Sequence, residues 1–360
     1  MIPRQHLANN KSQNDKQCDH EQSLNQDGLQ DFDNVENQVK PNRKFSFIGI
    51  LLIIVTVFTT AAILPLSVAL PLDSTLLKLT WRNTNMIPYF ILISIYDLFT
   101  KYKSFKVLSI VRDKSLALEL FLLGVSFMLM QIAYILSGQY TIMSHASIFS
   151  NLGGPFVVIY RAIIKKPVHK YEYLGLFIAF VGTIVSILDK DVQKVDSKNQ
   201  RILFGDICGV LSSISSCYYF EQNSIIIKKV PSSITVLVTV FISTVLIICY
   251  GIIFDTFTFD LNRETGVFGF FDRQYFLYTS IVVGLFCGTV SLYCAALSLK
   301  YYSAIVLLIA FLFEPLISQM ISYLMKIDKA PGLLTYIGGV FTLVGILFVI
   351  FGGQKISTKK

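Results

Sequence analysis

The chain has 360 residues, of which 53% are hydrophobic and only 15% charged, and its mean hydropathy is +0.60. That composition excludes an ordinary soluble domain and marks an integral membrane protein. The formal charge of +8 does not point to nucleic acid, because the basic residues lie in connectors between apolar runs and form no compact basic module.

Residues 1–44 contain 14 Asn or Gln and lack the apolar core of a signal peptide, so they read as a disordered cytosolic tail. Crossing a bilayer takes roughly 20 mainly apolar residues in a helix. Ten such runs follow the tail: 46–66, 76–97, 116–136, 140–163, 171–188, 204–226, 233–254, 275–298, 302–325 and 333–352. The first is predicted to act as an uncleaved anchor. With the N-terminus in the cytosol, 18 Lys and Arg fall on the cytosolic side near the helices and 10 on the other. This positive-inside bias predicts both termini to be cytosolic. The acidic connector 255–272 then lies on the far side.

Backbone amides cannot stay unpaired in hydrocarbon, so all ten runs are expected to be helices. Pro65, Pro88, Pro155 and Pro315 are expected to kink or break them. An ionisable group in mid-membrane costs about 2.5–3.5 kcal/mol on insertion scales and therefore faces a cavity or a partner. In the second run Arg82 lies about 10 Å below the surface by helical rise. It can snorkel there, bind a carboxylate substrate or pair with Glu314. The third run contributes Ser126, Met130, Gln131, Tyr134 and Ser137. The fourth carries a polar stripe of Ser144, His145, Ser147 and Asn151 ahead of Pro155.

The fifth and tenth runs carry Gly175 with Gly182 and Gly338 with Gly345, each pair seven residues apart. Such spacing lets helices approach closely, as scaffold or homodimer contacts. Between the halves lies a polar linker, 189–202. Glu221, Gln222 and Asn223 end the sixth run, where they are expected to meet water or headgroups. Tyr293 in the eighth run answers Tyr134, and the two could stack on a planar solute. The ninth run carries Glu314, Ser318 and Ser322 four residues apart. Glu314, about 18 Å into its helix, is the strongest candidate and could exchange a proton during transport. Cys208, Cys217, Cys249, Cys287 and Cys294 lie inside apolar runs without CxxC spacing, so they read as reduced packing residues, and no metal or cofactor is expected.

The stretch 71–187 is written twice. Pro71, Thr75 and Leu77 recur 160 residues on as Pro231, Thr235 and Leu237, and Pro155 recurs as Pro315. Tyr173, Gly175 and Gly182 recur 163 residues on as Tyr336, Gly338 and Gly345. Each copy holds an odd number of spans, so the second must be inserted upside down, an arrangement found in transporters.

Taken together, Arg82 in LTWRNTNMIPYF, the segments AYILSG and LYCAALSLKYYSA, and the prolines of SNLGGPFVV and FLFEPLIS resemble the drug/metabolite transporter superfamily, specifically its EamA-type ten-helix members. The resemblance implies an all-α membrane protein of ten transmembrane helices in two inverted five-helix repeats, 45–188 and 203–352, with a cytosolic tail at 353–360. It implies a secondary-active or facilitative carrier of a small organic solute, working by alternating access in the lipid bilayer, with protons as a candidate coupling partner. The run 304–323 lacks the Lys or Arg that related nucleotide-sugar and triose-phosphate carriers use, which argues against a phosphorylated substrate. The expected substrate-binding residues are Arg82, Gln131, Tyr134, His145, Asn151, Tyr293, Glu314 and Ser318. No GxxxxGK[ST] loop is present, so ATP hydrolysis is not expected. Two rivals remain: an enzyme of intramembrane aspartyl-protease type built on Asp97 and Asp206, and a non-transporting scaffold or sensor. The first is weakened because Leu203 stands where a GxGD motif needs Gly.

Overall fold

Every apolar run takes helical form wherever the computed structural model describes it, which is over residues 46–70, 72, 74–102, 113–140, 149–165, 168–188, 202–326 and 332–357. The tail 1–44, His145 and nearly all of the 189–202 linker lie outside those residues. The helices are α1 (Phe47–Ala61), α2 (Ile63–Val68), α3 (Thr75–Asp97), α4 (Lys114–Tyr140), α5 (Gly153–Ile163) and α6 (Lys170–Ile187). They continue as α7 (Ile202–Ile226), α8 (Ser232–Phe254), α9 (Tyr278–Tyr301), α10 (Ala304–Ala310), α11 (Glu314–Leu324) and α12 (Leu333–Ser357). The described residues contain no strand, only a single bridge from Thr258 to Gly266.

Six stretches are long and apolar enough to cross a membrane: Phe47–Ser67, Lys114–Tyr140, Ser232–Phe254, Tyr278–Tyr301, Ala304–Leu324 and Leu333–Gly352. Their outer faces stay apolar. Phe47, Leu51, Ile54 and Phe58 are exposed along one side of α1, as are Phe241, Val245 and Ile252 along α8. Water would not tolerate so continuous an apolar surface on a monomer. The chain is an all-α, multi-pass membrane protein.

Local signals set the helix ends. Ser46 caps α1 by accepting from the Gly49 amide at 3.3 Å, and Ser74 caps α3 by accepting from Leu77 at 3.2 Å. His169 and Glu172 form a reciprocal capping box on α6, where the Glu172 carboxylate accepts from the His169 amide at 2.9 Å. Pro155 lies in the first turn of α5 and Pro315 in that of α11, a position where the missing N–H costs nothing. The expected breaks are therefore helix restarts. Before α11 the chain tightens into a 3-10 turn at Phe311–Phe313. Nothing in the sequence announced that α9 is wound as a π-helix from Tyr278 to Val290.

The helices pack in a definite scheme. α6 runs along α12, α3 along α8, and α5 against α10; α4 lies on α7 and α8, while α9 lies on α1 and α3. α5 also meets α7, and α11 meets α1. The tightest contact is the one the glycines allow. A Cβ added at Gly175 would sit 2.5 Å from the Gly345 carbonyl oxygen, and one at Gly182 would sit 2.6 Å from that of Gly338. The glycine faces of the fifth and tenth runs thus meet each other within the chain.

At the end away from the chain termini, the 255–272 connector folds back onto α3. Trp81 Nε1 donates to the Gly266 carbonyl at 3.0 Å, and Ser74 donates to Asp255 at 2.9 Å. Trp81 is buried among Leu77, Phe257, Val267 and Phe270. At the opposite end, Arg161 of α5 pairs with Glu221 of α7 at 2.6 Å. Glu221 is 3% exposed and Asn223 1%, so these residues do not meet water or headgroups as expected. The buried guanidinium replaces solvent for Glu221.

Candidate functional site

The two helix restarts bring polar groups to mid-bundle. Asn151 lies in the turn ahead of α5, and Glu314 opens α11, where the helix dipole favours a carboxylate. Both border a cavity of about 210 Å³. Its walls come from α1, α2, α3, α4, the segment 150–153, α7, α9 and the α10–α11 junction. No described residue of α6, α8 or α12 lines it, which fits the expectation that the glycine-bearing helices serve as scaffold.

Arg82, Gln131, Tyr134, Asn151 and Glu314 all line this one cavity. Tyr134 of α4 faces Glu314 closely enough for its hydroxyl to hydrogen-bond the carboxylate. Arg82 feels the field of Cys287 and Tyr134 and, more weakly, of Glu314. Among the described residues no ion pair joins Arg82 to Glu314, so the direct pairing that the sequence allowed is not made. The Asn83 amide donates to Gln131 Oε1 at 2.7 Å and so fixes α3 to α4 beside Arg82. Gln131 Nε2, Arg82 Nε and Ser150 Oγ are buried without hydrogen-bond partners.

Two expected residues are placed elsewhere. Tyr293 donates to Asp97 at 3.0 Å and is not among the cavity residues, so it does not stack opposite Tyr134. Ser318, one turn beyond Glu314, does not line the cavity either. His145 lies outside the described residues. The structure adds Thr56, Thr60 and Ser67 from α1 and α2, Ser212 and Ser216 from α7, and Lys78 from α3. Helical spacing was their signal: Thr56, Thr60 and Ser67 share a face, as do Ser212, Ser216 and Phe220.

The cavity is one-sided. Ser67, Thr75 and Lys78 carry its lining toward the end away from the chain termini. Toward the terminal end, Phe220 and Phe311 close it with ring centroids 5.6 Å apart, and the Arg161–Glu221 pair lies beyond them. Asp97 and Asp206, the carboxylates of the protease reading, stand at opposite ends. From the level of the Asn83–Gln131 bond, α3 runs on to Asp97. In the other direction α4 runs to Tyr140, whose ring meets Phe204 beside Asp206. Helical rise sets the two aspartates roughly 30 Å apart, and a dyad that shares a proton cannot span that distance. The five described cysteines are free thiols, and the described residues contain no group of His, Cys, Asp or Glu suited to a metal ion.

No family model and no curated protein matches the chain. Among solved structures, one described as "Crystal structure of protein" superposes with a TM-score of 0.62 at 12% identity. The match covers 86% of this chain and 97% of that one. At that identity the likeness is one of fold.

Proposed function

We propose that this chain is a ten-span carrier of drug/metabolite transporter type that moves a small organic metabolite by alternating access. The observation that carries the reading is the cavity, on which the polar residues of otherwise apolar helices converge from both halves of the sequence. The helix packing supports the inverted repeat. Exchanging each span for the one five places along turns the α4–α7 contact into α9–α1 and the α4–α8 contact into α9–α3. The contacts α3–α8, α5–α10 and α6–α12 turn into themselves. With the termini cytosolic, as the basic loops favour, the cavity opens outward and is sealed on the cytosolic side.

Purified full-length protein in proteoliposomes, loaded with a broad panel of organic solutes, provides the test. Flux of at least one solute class above empty liposomes is expected. Protein that inserts with its native stability and moves nothing under imposed solute or proton gradients would contradict the carrier reading.

The Arg161–Glu221 pair joins α5 of the first half to α7 of the second at the sealed end. Removing one member of a buried pair costs about 3–5 kcal/mol because the other charge is stranded. Glu221→Gln is therefore expected to loosen the seal. Ser216→Cys in a cysteine-depleted background reports this: labelling from the terminal side by a membrane-impermeant thiol reagent should rise at least tenfold, by the order of 1.4 kcal/mol per decade. Reversal of both charges should restore protection. Equal labelling with and without the pair would show that it plays no part in closure.

A further inference from the structure

Building on the carrier reading, we infer that the cavity recognises its solute as a carboxylate carried on an apolar, ring-sized body. Two unsatisfied donors define one pole of the site. Arg82, permanently charged, presents a buried Nε with no hydrogen-bond partner. Beside it Gln131, 6% exposed, spends its carbonyl oxygen on Asn83 and leaves its NH2 group unpaired in the cavity wall. The Asn83–Gln131 bond holds the two helices in register, so both donors are placed before any solute arrives. A buried donor without a partner is costly, and a ligand oxygen that meets both donors removes the cost. A planar carboxylate offers two such oxygens in the geometry a guanidinium matches.

The rest of the wall selects against other chemistries. Phe127, Phe220 and Phe311 make the floor apolar and aromatic. A sugar would find few free hydroxyl protons there. Thr56 donates to the Leu52 carbonyl at 2.8 Å, Ser212 to Met130 at 2.9 Å, Ser216 to Ser213 at 2.8 Å, and Thr60 is bonded to Ser291 at 2.6 Å. An organic cation has Glu314 as its partner, but Tyr134 already faces that carboxylate. The anionic pole is occupied and the cationic pole is open.

The probes share one skeleton: 3-phenylpropionate, its neutral amide, phenethylamine and phenylalanine. Binding to the full chain in nanodiscs is read by ligand-induced thermal shift and by calorimetry. 3-Phenylpropionate is expected to bind at least about tenfold more tightly than the amide, the order of one charge-assisted contact. Arg82→Gln should abolish that preference and Arg82→Lys should keep part of it. The acid and amide comparison on the unaltered chain needs no variant, so misfolding of Arg82→Gln cannot obscure the result. Equal affinity for acid and amide, tighter binding of phenethylamine or phenylalanine, or no binding of any probe overturns the assignment. If another solute class is nevertheless carried in proteoliposomes, only the carboxylate assignment falls. If no class is carried, the carrier reading falls with it.

Discussion

Gly175→Ala and Gly345→Ala are expected to destroy the yield of monodisperse protein, while Gly138→Ala leaves it unchanged or slightly higher. The three sites differ in what a single methyl group would meet. At Gly175 it would lie 2.5 Å from the Gly345 oxygen and 2.8 Å from the Val349 nitrogen; at Gly345 it would lie 2.4 Å from the Ala179 nitrogen. Those atoms are backbone inside helices, and they move only if α6 and α12 separate. Separation would stretch the bonds from Thr183 to the Leu312 carbonyl, 3.2 Å, and from Thr342 to the Ala179 carbonyl, 3.4 Å. Overpacking a core that can adjust costs about 1–3 kcal/mol, and a clash with backbone on the partner helix belongs at or above that range. At Gly138 no atom lies within 4 Å of the added carbon, so only the helix-propensity gain of about 1 kcal/mol acts. Size-exclusion profiles and thermal unfolding of the three variants check this. Unaltered stability of Gly175→Ala would mean that the α6–α12 seam does not hold the bundle together. Because the seam consumes these glycine faces within one chain, a homodimer would have to form through another surface.

The seam was legible in the sequence because glycine spacing in an apolar run has few other uses. The cavity was legible for a related reason: a polar side chain in hydrocarbon needs a destination, and Arg82, Gln131, Tyr134, Asn151 and Glu314 found the same one. Tyr293 failed as a candidate because a repeat preserves the fold of two halves without preserving their partners. The residue opposite it is Asp97, at the end of α3, and the first half supplies no equivalent. Ser318 failed because its spacing from Glu314 assumed one continuous helix. The chain instead restarts at Glu314, and the stripe turns away from the cavity. Glu221 was misread because hydropathy registers a charge near a span end and cannot register Arg161, 60 positions away, that buries it. Thr56, Thr60 and Ser67 went unremarked since hydroxyls in a strongly apolar helix usually bond their own preceding turn, as Thr56 does.

Glu314→Gln is expected to uncouple transport from an imposed pH gradient while leaving solute exchange at equal pH largely intact. Glu314 is the one carboxylate lining the cavity among the described residues, and it opens the second half of a broken helix. Through Tyr134 it reaches α4 of the other half, so rocking the halves apart changes its surroundings. A carrier driven by protons needs such a group, reachable from one side at a time and sensitive to the state of the protein. Glutamine keeps the shape and can still accept from Tyr134, but it cannot take up or release a proton. Glu314→Ala loses the contact as well and should depress exchange and gradient-driven uptake together. Tyr134→Phe keeps the ring and removes one hydrogen bond to a charged group, worth about 1.5–3 kcal/mol, so a loss of at least about tenfold is expected. Uptake by Glu314→Gln vesicles that still follows the pH gradient would assign Glu314 to the helix restart alone. The ordering of the three variants decides the matter, because a group that only stabilises the restart should tolerate glutamine in both assays.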